Sequence, residues 1–209
     1  MSPREDGRPS SQASGEVRMA VQPRDVLDFW FDPAHAAHWF AKDAAFDEQI
    51  RRRFAVAADD AAQGRLDAWA SNPADWLALL ILLDQFPRNL HRGDAQAWAA
   101  DVKAQRIALS GLAGGFDQAL PPLQRVFAYL PLEHAEDMGL QQRAVTLFEA
   151  LHAQAPVAGR ARFAEFLDYA RRHREVIARF GRFPHRNAVL GRDSTAAERE
   201  YLAQPGAGF

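Results

Sequence analysis

The chain has no cysteine in its 209 residues, which excludes disulfides, thiolate zinc sites, iron–sulfur clusters and a cysteine nucleophile. Any chemistry therefore falls to His, Asp, Glu, Arg, Ser or Tyr. Long apolar runs are missing too. The longest, Trp76-Leu77-Ala78-Leu79-Leu80-Ile81-Leu82-Leu83, is far below the roughly 20 residues that span a bilayer. Residues 1–20 lack the apolar stretch of a signal peptide; being polar and rich in Ser, Gly, Pro and charge, they are expected to form a disordered tail ahead of a single all-helical domain over 21–209. A cytoplasmic location without a membrane partner follows by elimination. An excess of one charge is also lacking: 25 basic against 27 acidic residues give a formal charge of -2, so no global field draws the protein onto nucleic acid. Lysine is almost absent. Apart from Lys42 and Lys103 every basic residue is arginine, the side chain suited to planar recognition of carboxylate or phosphate. A glycine-rich phosphate loop, a nucleophile elbow, a dinucleotide fingerprint and zinc-ligand spacing are all missing, so neither a cofactor nor a metal is expected.

What is present is material for a core. Apolar residues make up 48% of the chain and aromatics 11%, with five tryptophans, and a chain of this length buries roughly 70% of its unfolded surface. Helical periodicity recurs throughout, whereas alternating β-branched stretches between hairpin turns do not occur. A helix over about Arg24 to Phe31 is stopped by Asp32-Pro33. A second, from Ala44 to Gln63, places Phe46, Ile50, Phe54 and Ala57 on one stripe.

Asn72-Pro73 opens a helix that is apolar all round until Asp84, where Pro87 is expected to enforce the stop. Asp94 is expected to cap a helix running to Ser110, with Gly111 as its left-handed stop. Another starts at Pro121-Pro122 and is interrupted at Pro131. Two long helices follow, from about Glu136 to Ala153 and from Gly159 to Phe180, the latter ended by Gly181. A last one opens with the capping box Thr195-Ala196-Ala197-Glu198. The fold class is all-α: about eight helices in stacked antiparallel pairs, without a clear repeat.

Polar chemistry concentrates in three places. The first is Asp84-Gln85-Phe86-Pro87-Arg88-Asn89-Leu90-His91-Arg92. An aspartate at a helix C-terminus opposes the macrodipole, so Arg88 or Arg92 is expected to compensate it, in an internal ion pair or in a site. The second is Glu133-His134-Ala135-Glu136-Asp137, which supplies general acids, general bases or metal ligands; equally, acids crowd the first turn of a following helix for electrostatic reasons. The third is Arg179-Phe180-Gly181-Arg182-Phe183-Pro184-His185-Arg186-Asn187. It echoes the Phe-Pro-Arg-Asn of the first cluster, and Arg172, Glu175, Arg179 and Arg182 fall on one helical edge. His173 lies on the apolar stripe between Ala170 and Ile177 and reads as a core histidine.

These stretches, with Val26-Leu27-Asp28-Phe29-Trp30-Phe31, Leu130-Pro131-Leu132-Glu133-His134-Ala135-Glu136-Asp137 and the terminal Phe209, give the chain a resemblance to the bacterial proteins grouped as domain of unknown function family 924. The resemblance implies a tetratricopeptide-like helical fold and supplies no substrate and no catalytic residue. Residue chemistry points to a helical domain that binds a small anionic molecule or a peptide carboxylate through Asp84, Arg88, Asn89, Glu133, His134, Arg182, His185, Arg186 and Asn187. The chain's own carboxylate on Phe209 is a further candidate occupant. The competing readings are a hydrolase or lyase that uses Glu133, His134, Glu136 or Asp137 as base or metal ligand, and a scaffold in which the clusters neutralise one another.

Overall fold

The computed structural model describes residues 20–208; residues 1–19 of the tail expected over 1–20, and the terminal Phe209, lie outside the described residues. Among these, regular structure is helical throughout and no strand occurs. Helices α1 (Pro23–Trp30) and α2 (Ala44–Ala62) bury the stripes their sequences carry, Val26, Phe29 and Trp30 on the first and Phe46, Ile50, Phe54 and Ala57 on the second. Asp43 caps α2 by accepting bonds from the Ala45 and Phe46 amides.

The central helix differs from the expected one in an informative way. α3 (Pro73–Leu80) opens on Asn72, whose side chain accepts the Asp75 amide at 3.1 Å. It does not end at Asp84, but widens into a π-helical turn (Ile81–Gln85) and resumes as α4 (Phe86–Leu90). Proline has no amide hydrogen, and its ring collides with the carbonyl four residues back. The wide turn absorbs both problems: the Phe86 amide bonds the Ile81 carbonyl five residues earlier, and the helix passes Pro87 unbroken. Asp84 thus lies inside a buried helix, and the macrodipole argument for it does not apply. Every residue from Trp76 to Pro87 is buried.

Pro131, expected to interrupt its helix, is likewise accommodated: α6 runs Pro122–Glu133. The missing bond falls near its end, where Leu130, Pro131, Leu132 and Glu133 are all buried. Gly111 is not a stop either. Asp94 caps only a 3-10 turn (Ala95–Trp98), and α5 (Asp101–Ala113) continues through Gly111; it is Gly115, at φ 72, that takes the left-handed conformation. Gly111 is required by contact, because a Cβ there would lie 2.3 Å from Trp76 Cε2. The Trp76 indole is fixed by a 2.9 Å bond to the Ile107 carbonyl, so it cannot readily retreat. Gly111→Val should cost about 1–3 kcal/mol by overpacking, measured as a lowered urea midpoint; unchanged stability would contradict the contact.

Three helices complete the array. α7 (Met138–Gln154) is capped by Asp137, α8 (Arg160–Phe180) ends on Gly181 at φ 70, and α9 (Ala196–Leu202) carries the expected Thr195/Glu198 capping box. α7 packs on both α6 and α8, while α3 packs on α1, α5 and α6. After α8 the chain folds back, and Phe183 joins Val176 and Ile177 in a small second apolar cluster flanked by Phe180 and Tyr201. Among the described residues no helix is long and apolar enough to cross a membrane.

Candidate functional site

Four elements bring charged side chains together beneath the end of the central helix. From the π turn comes Asp84, 1% exposed. The His134 ring, just past the end of α6, donates from Nδ1 to both of its carboxylate oxygens at 2.8 and 3.0 Å. Arg88, one turn further along, has Nη1 3.4 Å from Asp84 Oδ1 and donates the same nitrogen to the Asp84 carbonyl. Its Nη2 reaches Asp101, the first residue of α5, at 3.1 Å. Arg186, from the segment after α8, closes the group: Nη1 donates to Asp101 Oδ2, the oxygen that Arg88 also bonds, at 3.3 Å and Nη2 donates to the His134 carbonyl at 3.1 Å.

Arg186 is 6% exposed. Its guanidinium lies over the rings of Phe183 at 4.5 Å and Trp98 at 5.5 Å, an arrangement in which aromatic faces favour a cation. Its Nε is buried and has no hydrogen-bond partner. Beside this group Glu133, 3% exposed, holds Oε1 3.1 Å from His173 Nδ1, while its Oε2 is also buried without a partner. The His173 nitrogen further faces the Tyr169 carbonyl at 2.9 Å.

Burial and charge divide these groups. Burial alone would raise the Asp84 carboxyl, but the Arg88 charge and His134 outweigh it and hold the pKa down at about 2. For Glu133 burial is unopposed, and with the nearby Asp84 charge it pushes the pKa up to about 8. Burial, then the Arg88 charge, lowers His134 below 6.5. Burial brings Arg186 down to about 10 against the pull of Asp101, and takes the His185 ring to about 4, helped by the Arg186 charge. The centre accordingly holds an ionised aspartate, two charged guanidinia, neutral imidazoles and a carboxyl that is protonated at neutral pH.

Of the residues singled out from sequence, Asp84, Arg88, Glu133, His134 and Arg186 meet here, with His185 adjacent through its ring contact with Phe183 at 5.7 Å. Three do not join them. Asn89 donates to Asp47 at 2.8 Å in a separate cluster with Arg92, because α4 turns it toward α2. Arg182 is off the helical edge assigned to it and pairs with Glu198, at 2.7 Å from Nε. Asn187 stays local, bonding Ser194 and accepting from Arg192 Nε at 3.0 Å.

The second cluster is divided as well. Glu133 ends α6 and does not begin α7, Glu136 receives the Phe183 amide at 2.8 Å and pairs with Arg192, and Asp137 serves as the α7 cap. Asp101 and Trp98 were missed, since in sequence they are one acid and one aromatic around the start of an ordinary helix. Among the described residues no three His, Asp or Glu side chains converge to hold a metal. Two clefts, of about 570 and 270 Å³, are lined by other residues, the first by Leu27, Phe31 and Asp75, the second by Arg172, Arg179 and Tyr201.

A family model described as bacterial protein of unknown function, DUF924, matches residues 26–206. A solved structure, of a protein of unknown function from Agrobacterium tumefaciens, is 44% identical and superposes with a TM-score of 0.77 over 87% of this chain and 96% of the other. No curated protein matches the chain. The stretches that build the polar centre, from the π turn to the segment after α8, all fall inside the matched region, and the chain belongs to the DUF924 family of bacterial proteins of unknown function.

Proposed function

We propose that this is a ligand-binding helical domain that receives an anionic group, the carboxylate of a small molecule or of a peptide end, at Arg186. The observation that carries the reading is the condition of that guanidinium: buried, lying over two aromatic rings, and left with an Nε–H that bonds nothing. A buried donor without a partner costs about 1–3 kcal/mol. A carboxylate laid against Nε would supply the partner and offset the remaining charge in a charge-assisted bond. Arg88 and His134, with side chains 22% and 14% exposed, form the edge of the centre open to solvent. We place the domain in the cytoplasm and read its helix stacking as tetratricopeptide-like; the absence of cysteine from the sequence and of an apolar spanning helix among the described residues is consistent with the first.

The scaffold reading has its own support, because Asp84, Arg88, Asp101 and Arg186 form a run of alternating charges. Thermal unfolding with succinate at constant ionic strength separates the two. At a hundredfold excess over Kd the ligand stabilises the fold by about 2.7 kcal/mol, which for a chain of this size raises the midpoint by roughly 5–10 °C. Arg186→Gln should abolish the rise, and so should Arg186→Lys, which has no side-on fork. A wild-type midpoint that ignores succinate would leave the scaffold.

A further inference from the structure

We infer that the Asp84–His134 pair is a proton-transfer element: His134 Nε2 takes a proton from a water that attacks a carboxylic ester whose separate anionic group is held by Arg186. The inference rests on the anion-binding reading and adds a reaction to it. Its foundation is the way His134 is held. An ionised carboxylate only accepts hydrogen bonds, and both Asp84 oxygens face Nδ1, so the neutral ring carries its proton on Nδ1 and its lone pair on Nε2. Among the described residues Nε2 has no protein partner. A histidine that only fastens a buried network normally has both nitrogens engaged. Here one nitrogen is clamped twice, and the other is left to the partly exposed edge of the centre.

The chemistry balances with what is present. Water bound at Nε2 loses a proton to that nitrogen as its oxygen adds to the acyl carbon. The imidazolium so formed is stabilised by Asp84. It then returns the proton to the departing alkoxide oxygen as the carbon–oxygen bond breaks, so that one water is consumed and an acid and an alcohol are released. Arg88, touching the same carboxylate, keeps a positive charge beside the pair and holds the imidazole neutral at lower pH than usual. The other groups facing His134 are Asp101 from α5, His173 from α8, with ring centroids 6.1 Å apart, and His185 and Arg186 from the segment after α8.

The test uses the full chain with two chromogenic esters, mono-4-nitrophenyl succinate, which is anionic, and 4-nitrophenyl acetate, which is neutral. Wild type should hydrolyse the first at least tenfold faster than the second, and Arg186→Gln should erase the preference. His134→Gln should lower kcat/KM for the anionic ester by about 100-fold or more with melting temperature and circular dichroism retained. The wild-type pH profile tests the same point without substitution: the rate should rise along a limb centred below 6.5, where the imidazole loses its proton, and level off between that limb and the ionisation of Glu133 at about 8. A His134→Gln variant as fast as wild type would overturn the inference, as would an absence of hydrolysis in a protein that still binds succinate through Arg186. That second outcome leaves the binding reading intact, whereas His134-dependent hydrolysis indifferent to Arg186 would defeat the anion site.

Discussion

Replacing Glu133 by glutamine is expected to flatten the pH dependence of stability between pH 4.5 and about 8, and to make the variant the more stable protein at pH 8. Glu133 is raised from 4.5 to about 8 because it is buried and faces the Asp84 charge. Between those values the unfolded chain has released its proton while the folded chain retains it. The folded state then binds more protons, so stability falls as pH rises. Below 4.5 both states are protonated and the contribution is complete; above about 8 both are ionised and it is gone. One unit corresponds to about 1.4 kcal/mol. The full window therefore amounts to roughly 5 kcal/mol, of which relaxation and water entry around the carboxylate should leave about 2–3 kcal/mol. Glutamine keeps the shape, does not titrate, and removes this slope. Urea denaturation at pH 5, 6, 7 and 8 checks it; parallel curves for the two proteins would contradict a protonated Glu133.

Asp84→Ala should be the most damaging single change in the polar centre. It removes the shared acceptor of Arg88, His134 and the Gln85 amide and leaves a buried guanidinium facing one carboxylate fewer. Breaking a buried pair in this way costs about 3–5 kcal/mol. Asp84→Asn, which retains a carbonyl acceptor, should cost less, about 1–3 kcal/mol. The acid limb provides a second readout with the opposite sign to that of Glu133. Asp84 is lowered from 3.8 to about 2, so its contribution is present above 3.8 and is lost as pH falls through 2; both variants should lack that loss. A denaturation midpoint within 1 kcal/mol of wild type for Asp84→Ala would mean that Arg88 and His134 do not depend on it.

Much of the fold was legible in the sequence because helix starts and apolar stripes are local. Asn72 and Thr195 cap helices through their own side chains, and the Phe46–Ile50–Phe54–Ala57 stripe is set by spacing alone. Proline misled in both places where a helix continued. Whether Pro87 or Pro131 ends a helix depends on whether the surroundings favour a π turn or the loss of one bond, and burial decides that, not the residue. Gly111 misled for a similar reason: its lack of a side chain serves Trp76, which lies 35 positions earlier, and not a left-handed turn.

For the polar centre, sequence identified the right loops and part of the pairing. Asp84 with Arg88 is a one-turn relation and could be read. His134 with Asp84 and Arg186 with Asp101 join residues 50 and 85 positions apart, and no local pattern records them. Asn89, Arg182 and Asn187 had the right chemistry, but the helices that carry them point them at other acids and amides.

The arrangement has one consequence above the others. Asp84 and Asp101 pair with the two guanidinia, yet Arg186 Nε is left without an acceptor and Glu133 is kept neutral, so one donor on the cationic side is open to a further anionic acceptor. The most direct measurement is the ¹⁵N–¹H resonance of Arg186 Nε during titration with succinate at fixed ionic strength, assigned by its disappearance in Arg186→Gln. A saturable downfield shift of that proton, with Nε–H signals of exposed arginines unmoved, is the predicted result. An Arg186 signal that stays still while succinate binds elsewhere, or does not bind, would contradict it.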